Sequence, residues 1–185
     1  GDFSRLRRTF IEFLHHLPFY GLAVLCTDDQ QVRGLLGEVT RRTLTYGTGP
    51  EADVRASAIR QQGLQTFFKV EPAAGDPFDV TLNMPGRHNV LNALAAIAVA
   101  LELEVSVDAI QGALASFEGI GRRFQAKECA LPDGGMVMLV DDYGHHPREV
   151  AATIEAVRDG WPGRRLIVAF QPHRYTRTRD LLEEF

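Results

Sequence analysis

Lysine is nearly absent from this chain of 185 residues: of its 20 basic residues, all but Lys69 and Lys127 are arginine. That shortage excludes one motif outright, because no G-x-x-x-x-G-K-[ST] phosphate loop can be written anywhere in these residues. Cysteine is scarce as well. Cys26 and Cys129 are too few for a disulfide framework and suit a reducing, cytosolic setting. Long apolar runs are missing too. The longest, Leu91 to Leu103, is broken by Asn92 and Glu102 and falls short of the roughly 20 residues a bilayer span needs, so no membrane partner is expected. The opening GDFSRLRRTF is amphipathic and charged, unlike the basic start and apolar stretch of a signal peptide. Excess charge is lacking: a net −4 with 45% hydrophobic residues excludes disorder as the main state. Together with a pI near 5.9, it argues against a nucleic-acid partner. Internal repeats and low-complexity segments are absent.

What is present reads as α/β. FSRLRRTFIEFLHH (3–16) sets Phe3, Leu6, Phe10, Phe13 and Leu14 at helical spacing. LAVLC (22–26) is a short buried strand after a turn. Asp28 or Asp29 can cap a helix over QVRGLLGEV, and 43–46 suggests another strand. Then VRASAIRQQ, LQTFFKV and DPFDVTLNM predict three strands joined by Gly or Pro turns, a meander rather than a βαβ unit. HNVLNALAAIAVALEL is the clearest helix, with Val90, Leu94, Ile97 and Leu101 on one face. A second helix spans 105–117 with Ser106 as N-cap. The Gly-rich, charged FEGIGRRFQ marks a boundary. Beyond it the order is β-β-α-β-α: strands in FQAKECAL and GMVMLVDDY, a helix with Pro147 in its first turn, a strand in RRLIVAFQP, and a helix from TRTRDLLEEF. That order opens a doubly wound α/β unit.

Three constellations carry chemistry. In NMPGRHNVLNA, His88, Asn89 and Asn92 fall on one helix face opposite the apolar stripe. Their paired donors and acceptors suit a planar heterocycle such as adenine, while Asn and His near a helix start also serve as plain capping groups. In LVDDYGHHPREV a strand ends in Asp141 and Asp142, followed by Tyr143, His145, His146 and a helix. Ligands sit outside such strand ends. The acids could hold a ribose or a metal, and the histidines a metal or an anion. A capped turn with incidental histidines is the plainer reading, and no zinc-type ligand spacing accompanies it. In AFQPHRYTRTR, His173 and Arg174, Arg177 and Arg179 follow another expected strand. From Gly160 to Arg179 there are five Arg and no acid. Arginine captures carboxylate or phosphate bidentately, so an anionic small substrate fits. A solvated basic face is the alternative.

At these residues the chain resembles the Mur ligases. The resemblance runs through F-x-x-FLHHLPFYGLAVLCTDD (10–29), NMPGRHNVLNALAAIAVA (83–100), FEGIGRRFQ (117–125), VDDYGHHPREV (140–150) and FQPHRYTRTRDL (170–181). The His-Asn helix, the Gly-Arg linker and a DDY-type loop are shared across that family and folylpolyglutamate synthetases. The FQPHRYTR block looks like its alanine-adding member. The resemblance implies part of a central ATPase domain over 1–120, a sheet with flanking helices plus a small meander. The start of a Rossmann-like C-terminal domain over 121–185 would follow. It implies an ATP-dependent amide ligase of peptidoglycan precursor synthesis. ATP would activate the lactyl carboxylate of UDP-N-acetylmuramic acid as an acyl phosphate, and the amine of L-alanine would displace phosphate. His88, Asn89 and Asn92 would stand on the adenine side. Arg123, or Arg122, and Asp141 or Asp142 would lie near the ATP phosphates and ribose. Tyr143, His145, His173, Arg174 and Arg177 would form the amino-acid and acyl-phosphate site, with Arg174 and Arg177 as anion clamps. The family's phosphate loop, Mg²⁺ ligands and UDP-binding domain have no counterpart in these residues, so the chain reads as a fragment, inactive alone, with no metal ligand of its own. A sister ligase attaching a murein peptide to the same UDP-sugar, or a non-catalytic nucleotide-binding module, are the competing expectations.

Overall fold

The computed structural model describes residues 3–185. Its first region is built on one mixed sheet of five strands in sequence order. These are β1 (Leu22–Cys26), β2 (Arg42–Gly47), β3 (Val54–Gln62), β4 (Gln65–Pro72) and β5 (Phe78–Leu82). β1, β2 and β3 run parallel, and β3, β4 and β5 form an antiparallel meander. The expected meander is therefore not a separate appendage. It continues the parallel strands through β3.

Alternation explains the meander's inner face. Val54 and Ala56, then Thr66, Phe68 and Val70, then Phe78, Val80 and Leu82 are buried at every second position. A bulge at Ala58, whose φ is 50°, shifts the register between Ser57 and Arg60. Two helices close the core: α3 (Arg87–Glu102) lies against β1, β2 and β3, and α4 (Val107–Ser116) against β5. Val90, Leu94 and Ile97 of α3 are all at most 1% exposed. Burying a side chain of that size is worth about 1.5–3 kcal/mol, so this row anchors the region. Ser106 caps α4, accepting from Ala109 N at 3.3 Å.

One expected helix is shorter than its pattern. The stretch after β1 gives α2 (Gln30–Arg33), capped by Asp29, and then a 3₁₀ turn over Leu36–Glu38. Gly34 and Gly37 interrupt it, since glycine holds helices poorly. The first helix, α1 (Phe3–His15), forms as expected, but of its apolar row only Leu14 is buried.

The second region is thinner. It contains an antiparallel pair, β6 (Gln125–Ala130) and β7 (Met136–Asp141), then α5 (Pro147–Gly160), α6 (Tyr175–Asp180) and a 3₁₀ turn over Leu182–Glu184. Pro147 opens α5 as expected. The strand expected in RRLIVAFQP does not form. Residues 164–172 run without a ladder partner among the described residues, and Ile167 is 75% exposed. A strand exists only through its neighbours' hydrogen bonds, and none lies beside this one. The last expected helix divides into α6 and the 3₁₀ turn for want of a buried face. No helix among the described residues is long and apolar enough to cross a membrane.

Candidate functional site

A cavity of about 750 Å³ opens between α3, α4, the 117–124 linker and the start of α5. Its floor is apolar: Leu82, Met84, Ala93, Ala96, Ala113, Leu114, Phe117, Ile120 and Phe124. A few polar groups converge on it, His88, Asn89 and Asn92 from α3 and Arg123, Asp142, Arg148 and Glu149 from the second region. Ligand pockets have this size and this mixture, a broad apolar lining with few orienting groups.

The α3 wall begins at Gly86, whose φ of 94° only glycine adopts without strain. Asn89 does not point outward as its spacing predicts. It is buried, and its Nδ2 donates to Pro85 O at 2.7 Å. Its Oδ1 accepts from Asn92 Nδ2 at 3.4 Å, which leaves Asn92 as the exposed member of the pair. Asn89 is thus a turn-closing group that also lines the cavity. His88 is half-buried. Burial pushes its pKa below the ordinary value, Arg123 adds to that, and Asp142 and Glu155 oppose it. The ring is held neutral, with one donor and one acceptor nitrogen.

The opposite wall is organised by two carboxylates. Asp142 accepts from Phe124 N at 2.9 Å and from Gly144 N at 2.6 Å, so it locks the linker to the turn after β7. Asp141, exposed at the end of β7, makes no such contact. Glu149 accepts from His145 N at 3.0 Å and from His146 N at 3.1 Å. Burial disfavours its charge, yet those two N–H groups, Arg123 at 3.4 Å and His145 outweigh it, and the carboxyl stays below the usual range. His146 Nδ1 accepts from Arg148 N at 3.3 Å, completing a reciprocal cap on α5. His146 is therefore structural here. Arg122 positions the loop through its carbonyl, which accepts from Tyr143 N at 2.8 Å, and its guanidinium lies 5.9 Å from the Tyr143 ring.

A second group gathers beside this wall. His145 Nδ1 donates to Tyr143 O at 2.9 Å, and its ring stands 5.1 Å from that of Tyr143 and 6.3 Å from that of His173. Arg177 Nη1 donates to His173 O at 3.5 Å. Arg174 sits at the start of α6 with φ 70°. None of residues 173–177 lines the cavity. The structure thus joins Tyr143, His145 and His173 in one cluster, flanked by Arg177, and keeps the arginines of α6 outside the cleft.

The sequence patterns did not single out Glu149, Arg148 or Phe124. Outside the cavity's lining, after β1, Asp28 accepts from Thr48 N and Thr48 Oγ1, both at 2.7 Å, and meets Arg87 at 3.5 Å. Burial works against the Asp28 charge, but these partners outweigh it and hold the carboxyl low. Arg148 reaches Asp29 at 3.8 Å. The carboxyl ends of β1 and β2 therefore face the starts of α3 and α5, where open α/β sheets take ligands. The signal for Glu149 was present but disguised, since its capping box uses histidine in place of Ser or Thr.

Fold and cleft together define an α/β protein with a largely apolar cavity walled by a His-Asn helix and a capped loop. The sequence profile described as the Mur ligase middle domain matches residues 1–100, and that described as the Mur ligase, glutamate ligase domain matches residues 122–185; the chain belongs to the Mur ligase family. It is similar to UDP-N-acetylmuramate-alanine ligase MurC from Thermotoga maritima, at 25% identity and a TM-score of 0.74 over 98% of this chain and 39% of that one. It is similar to MurF ligase from the same organism in complex with ADP, at 25% identity and 0.69 over 86% and 35%. A murein peptide ligase from Psychrobacter arcticus is 26% identical, with a TM-score of 0.62 over 88% and 33%. The chain spans little more than a third of the length of these structures.

Proposed function

We propose that this chain is the part of an ATP-dependent amide ligase that binds adenine nucleotide between residues 1–120 and residues 121–185. In this reading the enzyme adds L-alanine to UDP-N-acetylmuramic acid through an acyl phosphate. The observation that carries the nucleotide half is the cleft: a largely apolar cavity of about 750 Å³, with His88 and Asn92 on one wall and Arg123 on the other. The ADP complex of the related MurF supports it. ATP supplies the phosphoryl group and needs Mg²⁺. No group of three or more His, Cys, Asp or Glu that could hold a metal ion is found among the described residues.

The residues of this chain orient and neutralise. Asn92 offers a donor and an acceptor to the heterocycle's edge, and the Ala and Phe side chains exclude water from its faces. Arg123, fixed by Glu149, stands over the phosphate side, and fixed positive charge is worth most where negative charge develops. His145 and His173, with Arg174 and Arg177 following, hold the amino-acid carboxylate and the reacting acyl group. Asp142 serves these groups by locking the loop that carries Tyr143 and His145.

The alanine assignment rests on the FQPHRYTR block. Murein-peptide attachment is the second reading, supported by the likeness to the murein peptide ligase at 26% identity, level with that to the alanine ligase at 25%. Phosphate release by a full-length ligase carrying this segment, with UDP-N-acetylmuramic acid and either L-alanine or a tripeptide, separates the two. Turnover with L-alanine and a large loss in Arg174→Ala is expected. Turnover only with the tripeptide reverses the assignment. The 185-residue chain itself is expected to release no phosphate, because it has no phosphate-loop lysine.

A further inference from the structure

The two walls of the cleft belong to different regions, and one side chain outside the cleft ties them together. Gln61, at the tip of the β3–β4 hairpin, is half-buried. Its Oε1 accepts from Gly86 N at 2.9 Å, and its Nε2 donates to Ala156 O at 2.8 Å and to Gly63 O at 3.1 Å. Gly86 is the residue from which α3 starts, two positions before His88. Ala156 lies in the middle of α5, the helix whose first turn carries Arg148 and Glu149. One amide thus satisfies three backbone groups from three elements.

Small residues make room for it. A Cβ on Gly160 would stand 2.4 Å from Gln61 Nε2 and 2.8 Å from Gly63 O. A Cβ on Gly86 would stand 3.0 Å from the Ala156 Cβ and 2.7 Å from the His88 ring. α5 is therefore packed closely on the β3–β4 hairpin at Gly160 and on the start of α3 at Gly86, where an added methyl group would displace its neighbours.

We propose that Gln61 is the positioning residue that clasps the two regions and sets the width of the cleft. A primary amide suits the task, because it donates to α5 and accepts from α3 at once. Glutamate would turn the donor into a second acceptor facing Ala156 O. Methionine would keep the volume and lose both bonds. The function assigned to the clasp rests on the nucleotide reading of the cleft, but the clasp itself does not.

The test is a spin-label distance across the two regions in this chain. Labels at Asp108→Cys on α4 and Arg158→Cys on α5 report it, with Cys26→Ser and Cys129→Ser as background. The unaltered Gln61 protein is expected to give one narrow distribution. Gln61→Met should give a broader distribution at longer distance, and Gln61→Glu a larger change of the same sign. Gln62→Met, on the exposed neighbour, should match the parent. An unchanged distribution in Gln61→Met and Gln61→Glu overturns the proposal. Where Gln61→Met does not fold, Gly160→Ala probes the same contact from α5, with the same expected change and the same overturning result. ADP separates the two ideas. If it narrows the Gln61→Met distribution, both the clasp and the nucleotide reading are supported. A broadened distribution that ADP leaves untouched upholds the clasp and counts against the nucleotide reading.

Discussion

The two regions of this molecule reach order by different means. In the first, a sheet of five strands and two helices share a continuous core running from Val54 to Ile110. In the second, Phe124, Pro147 and Ala156 are the buried apolar residues, and order comes from two polar closures, the Asp142 lock and the Glu149 cap, together with the stacking of Phe124 on Trp161 at 6.3 Å. The difference teaches where to expect rigidity. Apolar packing holds the sheet and α3, whereas hydrogen bonds to a few carboxylates hold the opposite wall of the cleft. Such a wall opens at lower cost.

The sharpest way to break this contrast is Leu94→Ala in α3. Removing a fully buried leucine should cost about 2–5 kcal/mol. Denaturant unfolding followed by the amides of β3 to β5 would show it, and a cost within about 0.5 kcal/mol, as at a surface site, would mean the core is elsewhere. Next comes Asp142→Ala. It strands the N–H groups of Phe124 and Gly144, at about 1–3 kcal/mol for an unsatisfied buried group. Hydrogen exchange should rise in 122–160 and stay unchanged in β4. A uniform rise would merge the two regions into one unit.

Acid should act in the same place. The Glu149 pKa is lowered in the folded state, so its contribution is present above the ordinary glutamate range and lost as pH falls through the lowered value. His88 is lowered too. The unfolded chain then takes up that proton first, and stability declines as pH drops below the ordinary 6.5. Both signs agree, so thermal unfolding should shift downward below that pH, and a shift upward would contradict the assignments. The smallest effect is expected at Ile167, where Ile167→Thr in the unpaired 164–172 segment should change stability by less than about 0.5 kcal/mol.

Legibility follows the same division. The α3 row of Val90, Leu94 and Ile97 was readable because helix period and burial coincide within one element. The meander was readable because each strand buries alternate residues. RRLIVAFQP failed because its pattern describes a strand surrounded by others, and propensity cannot supply the neighbours. His88, Asn92 and Arg123 stand out by residue type, and all three line one cavity. Asn89 was misplaced by about one face, because spacing cannot foresee that its amide closes the turn at Pro85. Glu149 and Gln61 escaped because their roles depend on backbone groups distant in the fold or on an unusual cap.

The central claim is that the cleft between α3 and the 122–149 segment takes the adenine end of a nucleotide. Titrating ADP into this chain while following its backbone amides tests it directly. Saturable shifts are expected at Asn92, Ala93, Phe117, Arg123 and Phe124, with β6 and α1 silent. Saturation with shifts confined to α1 or α6, or no shift at the cleft at any ADP concentration, would contradict it.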